Sequence, residues 1–172
     1  MSTPVFNVRP GERHDLGMMA DNLEHGFGSY RTWADAGWEP PTRMEMLLGM
    51  MQRFTKDGSW SVVAFAEDGR PAGHGAARAE LDEQGARRAD VARLTHLFVR
   101  REFWGSGVAD LLHEQLLAGM VQRGFTSACL WTPTGQARAR AFYERHGWRR
   151  SGAVDPDNDL RLELLEYVRE LP

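Results

Sequence analysis

The most informative part of the chain is residues 97–109, which read Leu97-Phe98-Val99-Arg100-Arg101-Glu102-Phe103-Trp104-Gly105-Ser106-Gly107-Val108-Ala109. An apolar strand runs into a glycine-rich turn, and the turn opens a helix. The first amides of a helix lack intrahelical partners, and the helix dipole favours negative charge there. Small residues let phosphate oxygens approach these amides. The stretch therefore predicts an anion site, although a tight turn without a ligand explains a Gly-x-Gly sequence equally well.

Two nucleotide-binding motifs are excluded at this turn. No Lys-Ser or Lys-Thr pair follows the glycines, so the turn is not a Walker P-loop. Asp110 occupies the position where a GxGxxG dinucleotide fingerprint has its third glycine. Any anion bound here is therefore expected to be held mainly by backbone groups.

The helix that follows has the clearest pattern in the chain, with apolar residues three and four positions apart between residues 105 and 124. Strand-like segments flank it at 91–99 and 126–131. A strand, a helix and a second strand in this order predict a parallel pair with a right-handed crossover.

The remaining segments extend this unit into one sheet. Strands are predicted at 5–8, 60–66, 71–81, 148–154 and 160–168, and helices at 15–27, 42–58 and 134–146, the last capped by Thr134. Most neighbouring strands are joined as hairpins. We therefore expect an α/β (α+β) fold: a mixed, mostly antiparallel central sheet of about seven strands flanked by helices.

Bulk composition narrows the function classes. The chain has 172 residues, which predicts a single domain over 1–172, and its formal net charge of -3 argues against nucleic-acid binding. We expect no membrane span and no signal peptide, because no long apolar run is present. With Cys129 as the only cysteine, a cytoplasmic location is expected. The six histidines have no metal-ligand spacing, so no metal is predicted.

A second motif lies further along, in Gln136-Ala137-Arg138-Ala139-Arg140-Ala141-Phe142-Tyr143-Glu144-Arg145-His146-Gly147-Trp148. Together, the two motifs resemble those of the GNAT superfamily of N-acetyltransferases. That family has a Gln/Arg-x-x-Gly-x-Gly/Ala turn after a strand ending in Leu-x-Val, and then Asn-x-x-Ala-x-x-Phe-Tyr-x-x-x-Gly-Phe. Trp104 stands where the first motif has Gln or Arg, and Gln136 where the second has Asn.

The resemblance implies a GNAT-like acyl-CoA N-acyltransferase fold with acetyl-CoA as cosubstrate. Pyrophosphate would sit on the turn amides, and pantetheine would pair with the strand before the turn at a gap between the parallel strands. The residues implied in cofactor binding are Leu97, Phe98, Val99, Trp104, Gly105, Ser106, Gly107, Val108, Ala109, Asp110 and Gln136.

The same resemblance implies N-acetyl transfer to an amine by direct attack in a ternary complex. Tyr143 resembles the general acid of the family, and the alternative is a tyrosine that fills the core at a helix end. Strand alternation places Thr95 and Arg93 on one face with Leu97 and Val99, and His96 on the other.

No general base is evident in the sequence. His96 is a candidate, but a core histidine is the simpler interpretation, and His74 and Glu80 are equally uncertain. A chain of water molecules could replace a protein base. The altered Trp104 and Gln136 also leave a second function open, an acyl-CoA-binding module without turnover.

The acceptor side is predicted between the first two helices, where Tyr30, Trp33 and Trp38 could wall a pocket for the amine. A packed loop or a homodimer surface explains these aromatic residues equally well. The sequence does not identify the amine.

Overall fold

The computed structural model describes residues 5–56 and 58–172. The prediction that the N-terminus contains no signal peptide rests partly on residues 1–4, which lie outside the described residues. Seven strands and four α-helices follow the predicted order. They are β1 (Phe6–Pro10), α1 (Leu16–Gly28), α2 (Arg43–Lys56), β2 (Trp60–Ala66), β3 (Pro71–Leu81), β4 (Arg87–Val99), α3 (Val108–Gln122), β5 (Ser127–Pro133), α4 (Ala137–Arg145), β6 (Arg149–Asp155) and β7 (Leu164–Glu170).

The strands form one seven-stranded sheet in the order β1-β2-β3-β4-β5-β7-β6. Only β4 and β5 pair in parallel, and every other neighbouring pair is antiparallel. The predicted fold class and the βαβ unit are therefore confirmed. None of the described helices is both long enough and apolar enough to cross a membrane.

A hydrophobic core lies on each face of the sheet. Leu112, Leu116 and Met120 of α3 pack on one face, together with Leu94 of β4. On the other face, α1 and α2 cover a second core, which includes Phe98 of β4. Each of these helices has an apolar side facing the sheet, as the spacing of their apolar residues predicts.

Several predicted boundaries differ from the structure. The predicted helix cap at Thr134 is wrong, because its hydroxyl donates to Glu163 Oε1 at 2.7 Å and α4 begins only at Ala137. The last strand begins at Leu164 rather than at residue 160. Asn158 donates to the carbonyls of Asp155 and Leu162 and so holds a loop where the apolar alternation predicted a strand.

A β-bulge in β4 changes which residues share a face. Ala76 of β3 pairs with His96, whereas the next residue, Ala77, pairs with Leu94, so Thr95 is an extra residue on β4. The prediction that Thr95 and Arg93 lie on the face of Leu97 and Val99 is therefore wrong. Leu94 takes that face with them, under α3.

The parallel strands separate beyond the bulge. Pairing between β4 and β5 ends at Leu94 and Leu130, although β4 continues to Val99 and β5 to Pro133. The end of β4 is therefore open on the side that faces β5. The predicted gap between the parallel strands is present, and it forms the base of the site described next.

Candidate active site

A cleft of about 570 Å³ lies between the end of β4, the turn that opens α3, and α4. Most of the residues predicted from the sequence line it. They are Leu97, Phe98, Val99, Trp104, Gly105, Gly107, Ala109, Asp110, Gln136 and Tyr143. Ser106 and Val108 do not line the cleft; Val108 is the first residue of α3 and is buried in the core on that face of the sheet.

The glycines of the turn have backbone conformations that favour glycine. Gly105 has φ +78° and Gly107 φ +88°, and a Cβ atom added at either would meet no atom within 4 Å. The space above both residues is therefore open to a ligand.

Four consecutive amides at the start of α3 are free to donate. Those of Gly107, Val108, Ala109 and Asp110 have no backbone acceptor in the described part of the chain, and the helical ladder begins with Leu111 N–H donating to the Gly107 carbonyl at 3.2 Å. Unpaired amides and the positive end of the helix dipole together make a site for an anion.

Two other amides of the turn are already used. Trp104 N–H donates to the Arg101 carbonyl at 3.1 Å, and Ser106 N–H donates to the Phe103 carbonyl at 3.3 Å. The Trp104 indole also donates to the Val99 carbonyl at 2.9 Å, which ties the turn to the end of β4. Trp104 therefore stabilises the turn through a contact that the Gln or Arg of the family pattern does not predict.

Two arginine side chains place positive charge beside the open turn. The Arg138 guanidinium lies 4.0 Å from the centre of the Trp104 ring, and Arg145 also lines the cleft. Asp110 is the single acidic residue among the described residues that line the cleft, and its carboxylate contacts His146 Nε2 at 2.8 Å. This pairing reduces the repulsion that Asp110 would exert on a bound anion.

Tyr143 of α4 lines the cleft. Its ring is buried against Trp148 and Tyr167. Within residues 5–56 and 58–172, no group hydrogen-bonds this hydroxyl. Burial raises the pKa of Tyr143 above its ordinary value, so the phenol stays protonated at neutral pH. A protonated phenol without a partner can act as a proton donor to a ligand.

At the other end of the cleft, the lining comes from α1 and the turn that follows it. Gly26, Ser29 and Tyr30 reach the cleft there, beside Phe98. Position 26 requires glycine where α1 packs on Phe98, because a Cβ atom on Gly26 would lie 1.9 Å from the Phe98 ring. Trp33 and Trp38 instead pack around Tyr30, and Trp38 donates to the Leu160 carbonyl at 2.8 Å.

The base candidates named from the sequence lie outside the cleft lining. His74 is fully buried beside Asn22, and loss of water lowers its pKa to about 3. Desolvation also holds the pKa of His96 well below its ordinary value. Burial acts to raise the pKa of Glu80, but the Cys129 thiol and nearby arginines outweigh it and the net shift is downward.

Sequence reasoning missed part of the lining. Phe103, Ala141 and Arg145 contribute to the cleft, but they are not among the positions that the two family motifs specify. Arg145 lies seven positions after Arg138 on α4, which is the spacing of two helical turns and could have indicated a shared face. Ser29 carried no signal, because its position depends on how α1 packs on β4.

The comparison with known families gives one clear match. Residues 26–148 match the model of the acetyltransferase (GNAT) family. No curated protein sequence matches the chain significantly.

Similar solved structures include three acetyltransferases. One from Thermus thermophilus is 20% identical, with 99% of this chain and 100% of that chain covered and a TM-score of 0.71. A GNAT-family acetyltransferase from Staphylococcus aureus is 16% identical, with 98% and 100% covered and a TM-score of 0.73. The PaiA N-acetyltransferase of Thermoplasma acidophilum, solved with coenzyme A, is 15% identical, with 94% and 98% covered and a TM-score of 0.68. At these identities the likeness establishes the fold.

The buried histidines predict how stability depends on pH. His74, His96 and His113 are neutral when folded, with the pKa of His113 lowered to about 4 by burial first and by His146 next. As the pH falls below about 6.5, the unfolded chain binds protons that the folded chain does not. We expect the free energy of unfolding to decrease from pH 7 to pH 5 by up to about 1.4 kcal/mol per pH unit and per histidine.

Urea denaturation between pH 7 and pH 5 measures this slope, and His113→Gln isolates one contribution. Glutamine keeps an acceptor for the Trp148 indole, which donates to His113 Nε2 at 2.9 Å, but it does not titrate. A slope identical in the wild type and in His113→Gln would contradict the assignment of His113.

Proposed function

Since this chain belongs to the GNAT family of acetyltransferases, we propose that it transfers the acetyl group of acetyl-CoA to a primary amine by direct attack in a ternary complex. The observation that carries the proposal is one cleft lined both by the residues with free helix amides and by a phenol without a hydrogen-bonding partner in the described chain. We also propose one domain over 1–172, which the single sheet from β1 to β7 supports.

The residues of the cleft fit acetyl-CoA. The amides from Gly107 to Asp110 would bind the diphosphate, and Arg138 and Arg145 would add positive charge near it. The open edge of β4 at Leu97 and Val99 would pair with the pantetheine amides, as an extended ligand pairs with a sheet edge. When bound, acetyl-CoA supplies an acyl group activated as a thioester.

Tyr143 would act as the general acid. An amine attack on a thioester produces a thiolate leaving group, which must take up a proton. The Tyr143 phenol is protonated, buried and without a partner in the described chain, so it can donate that proton without first breaking another hydrogen bond. Free β4 amides beside Leu97 would stabilise the negative charge on the carbonyl oxygen.

The acceptor amine would enter from the side of α1. The lining there consists of Gly26, Ser29, Tyr30 and Phe98, with no charged side chain among these residues. This supports an acceptor that presents a neutral primary amine on an uncharged segment.

The first test of the proposed function combines acetyl-CoA titration by calorimetry with release of the CoA thiol against a panel of primary amines. Saturable binding without release for any amine would instead support an acyl-CoA-binding module.

Tyr143→Phe tests the acid. The substitution removes only the hydroxyl, so we expect turnover to fall by about 10²-fold while the acetyl-CoA dissociation constant stays unchanged. Steady-state kinetics and calorimetry measure the two quantities. Tyr167→Phe is the matched control, because Tyr167 is equally buried but donates to Glu144 at 2.8 Å outside the cleft. Full turnover in Tyr143→Phe would remove this residue from the mechanism.

Gly107→Glu tests the diphosphate site. The new side chain would enter the open space above the turn and place a carboxylate where the anion is expected, so acetyl-CoA binding should be lost. Gly85→Glu is the control, because Gly85 has a similar positive φ of +79° and open surroundings but lies in the turn between β3 and β4. Calorimetry should show loss of binding only in Gly107→Glu. Equal affinity in both variants would place the diphosphate elsewhere.

A further inference from the structure

The proposed reaction has a proton balance that Tyr143 alone does not complete. The amine loses one proton and the CoA thiol gains one, so the reaction needs a route for a proton from nitrogen to sulfur. Tyr143 can supply the proton to sulfur, but it must then be reprotonated from the amine. Which side chains carry that proton is a matter that rests on the proposed function.

The described lining of the cleft contains no conventional base. Asp110 is its only acidic side chain, and Asp110 is paired with His146. His74, His96 and Glu80 are not part of the lining. Two side chains at the acceptor end carry a proton that can be exchanged, those of Ser29 and Tyr30. Ser29 donates to the Gly26 carbonyl at 2.6 Å, so its proton is already engaged.

Tyr30 is held rigidly in the wall of the cleft. Its ring centre lies 5.2 Å from that of Phe27, 4.8 Å from that of Trp33 and 6.0 Å from that of Trp38. Only 7% of the residue is exposed, yet it lines the same cleft as Tyr143. Aromatic packing of this kind fixes the ring, and therefore fixes where the hydroxyl points.

The Tyr30 hydroxyl has contacts that suit a relay. The Gln136 side chain also lines the cleft, and its amide acts to lower the pKa of Tyr30. Tyr30 and Tyr143 line the same cleft, and the pKa of Tyr143 is raised by burial first and by Tyr30 next. Tyr30 comes from the α1 side and Tyr143 from α4. The two phenols therefore come to one cleft from different elements of the fold.

We propose that Tyr30 is a second catalytic residue, which takes the proton from the attacking amine and passes its own proton to Tyr143. Together the two phenols carry one proton from the nitrogen to the sulfur, and no separate protein base is needed.

The step balances in atoms and charge. The amine nitrogen forms a bond to the acyl carbon, the carbon–sulfur bond breaks, and the electron pair of that bond stays on sulfur. The Tyr143 phenolic proton goes to sulfur, the Tyr30 phenolic proton goes to the Tyr143 oxygen, and a proton from nitrogen goes to the Tyr30 oxygen. Both tyrosines end the cycle as neutral phenols, and no oxidant or reductant is consumed.

The environment of Tyr30 supports this role. Burial raises its pKa to about 12, with a smaller opposing effect from Gln136. Tyr30 therefore begins each cycle protonated at neutral pH, and any phenolate formed in the apolar cleft is a strong base that is quickly reprotonated. The hydroxyls can exchange the proton directly or through one water molecule, which is the usual reach of general acid–base catalysis.

The test begins with Tyr30→Phe, which keeps the ring and removes the relay. We expect kcat to fall by about 10²-fold with an unchanged acetyl-CoA dissociation constant. Adding imidazole as a small external base should restore turnover in Tyr30→Phe in proportion to its concentration, while the wild type should not respond. Trp33→Phe is the control, since it alters the packing of Tyr30 without removing a hydroxyl, and imidazole should not change its rate.

The double variant Tyr30→Phe/Tyr143→Phe decides whether the phenols act in series. If they share one proton path, the double variant should be no slower than the slower single variant. Losses that multiply to about 10⁴-fold would overturn the relay, and so would full turnover in Tyr30→Phe. In both of these outcomes the proposed acetyl transfer still stands. Absence of CoA release with every amine in the wild type would overturn the acetyl transfer and the relay together.

Discussion

The separation of β4 from β5 after the Leu94–Leu130 pair is the constraint on which the rest of the structure depends. Up to that pair the two strands share a ladder, with α3 packed on their common face. Beyond it, the backbone of β4 has no neighbouring strand on one side among the described residues, and an unpaired, partly buried edge is costly unless a ligand or water satisfies it. The gap is therefore the part of the sheet that most needs a ligand, and it is the proposed binding site.

Two other features of the fold, the bulge in β4 and the Trp104 hydrogen bond, shape the gap and the glycine turn beside it. The bulge at Thr95 turns Leu97 and Val99 toward the face of α3, where they line the cleft. The Trp104 indole ties the glycine turn to the Val99 carbonyl, which holds the free amides of α3 beside the open strand. The proposed acetyl transfer needs an anchor for the cosubstrate and a proton donor at the sulfur, and the groups proposed for both roles line one cleft.

The order of elements could be predicted from the sequence because local patterns determine it. The strands at 60–66 and 71–81 agree with the structure, and Gly107 marked the turn correctly. The bulge could not be predicted, because nothing in the alternation of residues 91–99 distinguishes an extra residue at Thr95. The hydrogen bond of Trp104 and the sharing of one cleft by Tyr30 and Tyr143 were also hidden, since both depend on how elements distant in the chain pack together.

Amide hydrogen exchange, measured with and without coenzyme A, tests whether the start of α3 binds the diphosphate. We expect the ligand to slow exchange at Gly107, Val108, Ala109 and Asp110, because these amides have no acceptor in the described chain until a phosphate binds. Exchange along Leu97–Val99 should slow as well. Unchanged exchange at the start of α3 under saturating coenzyme A, or protection confined to other elements, would contradict this diphosphate site.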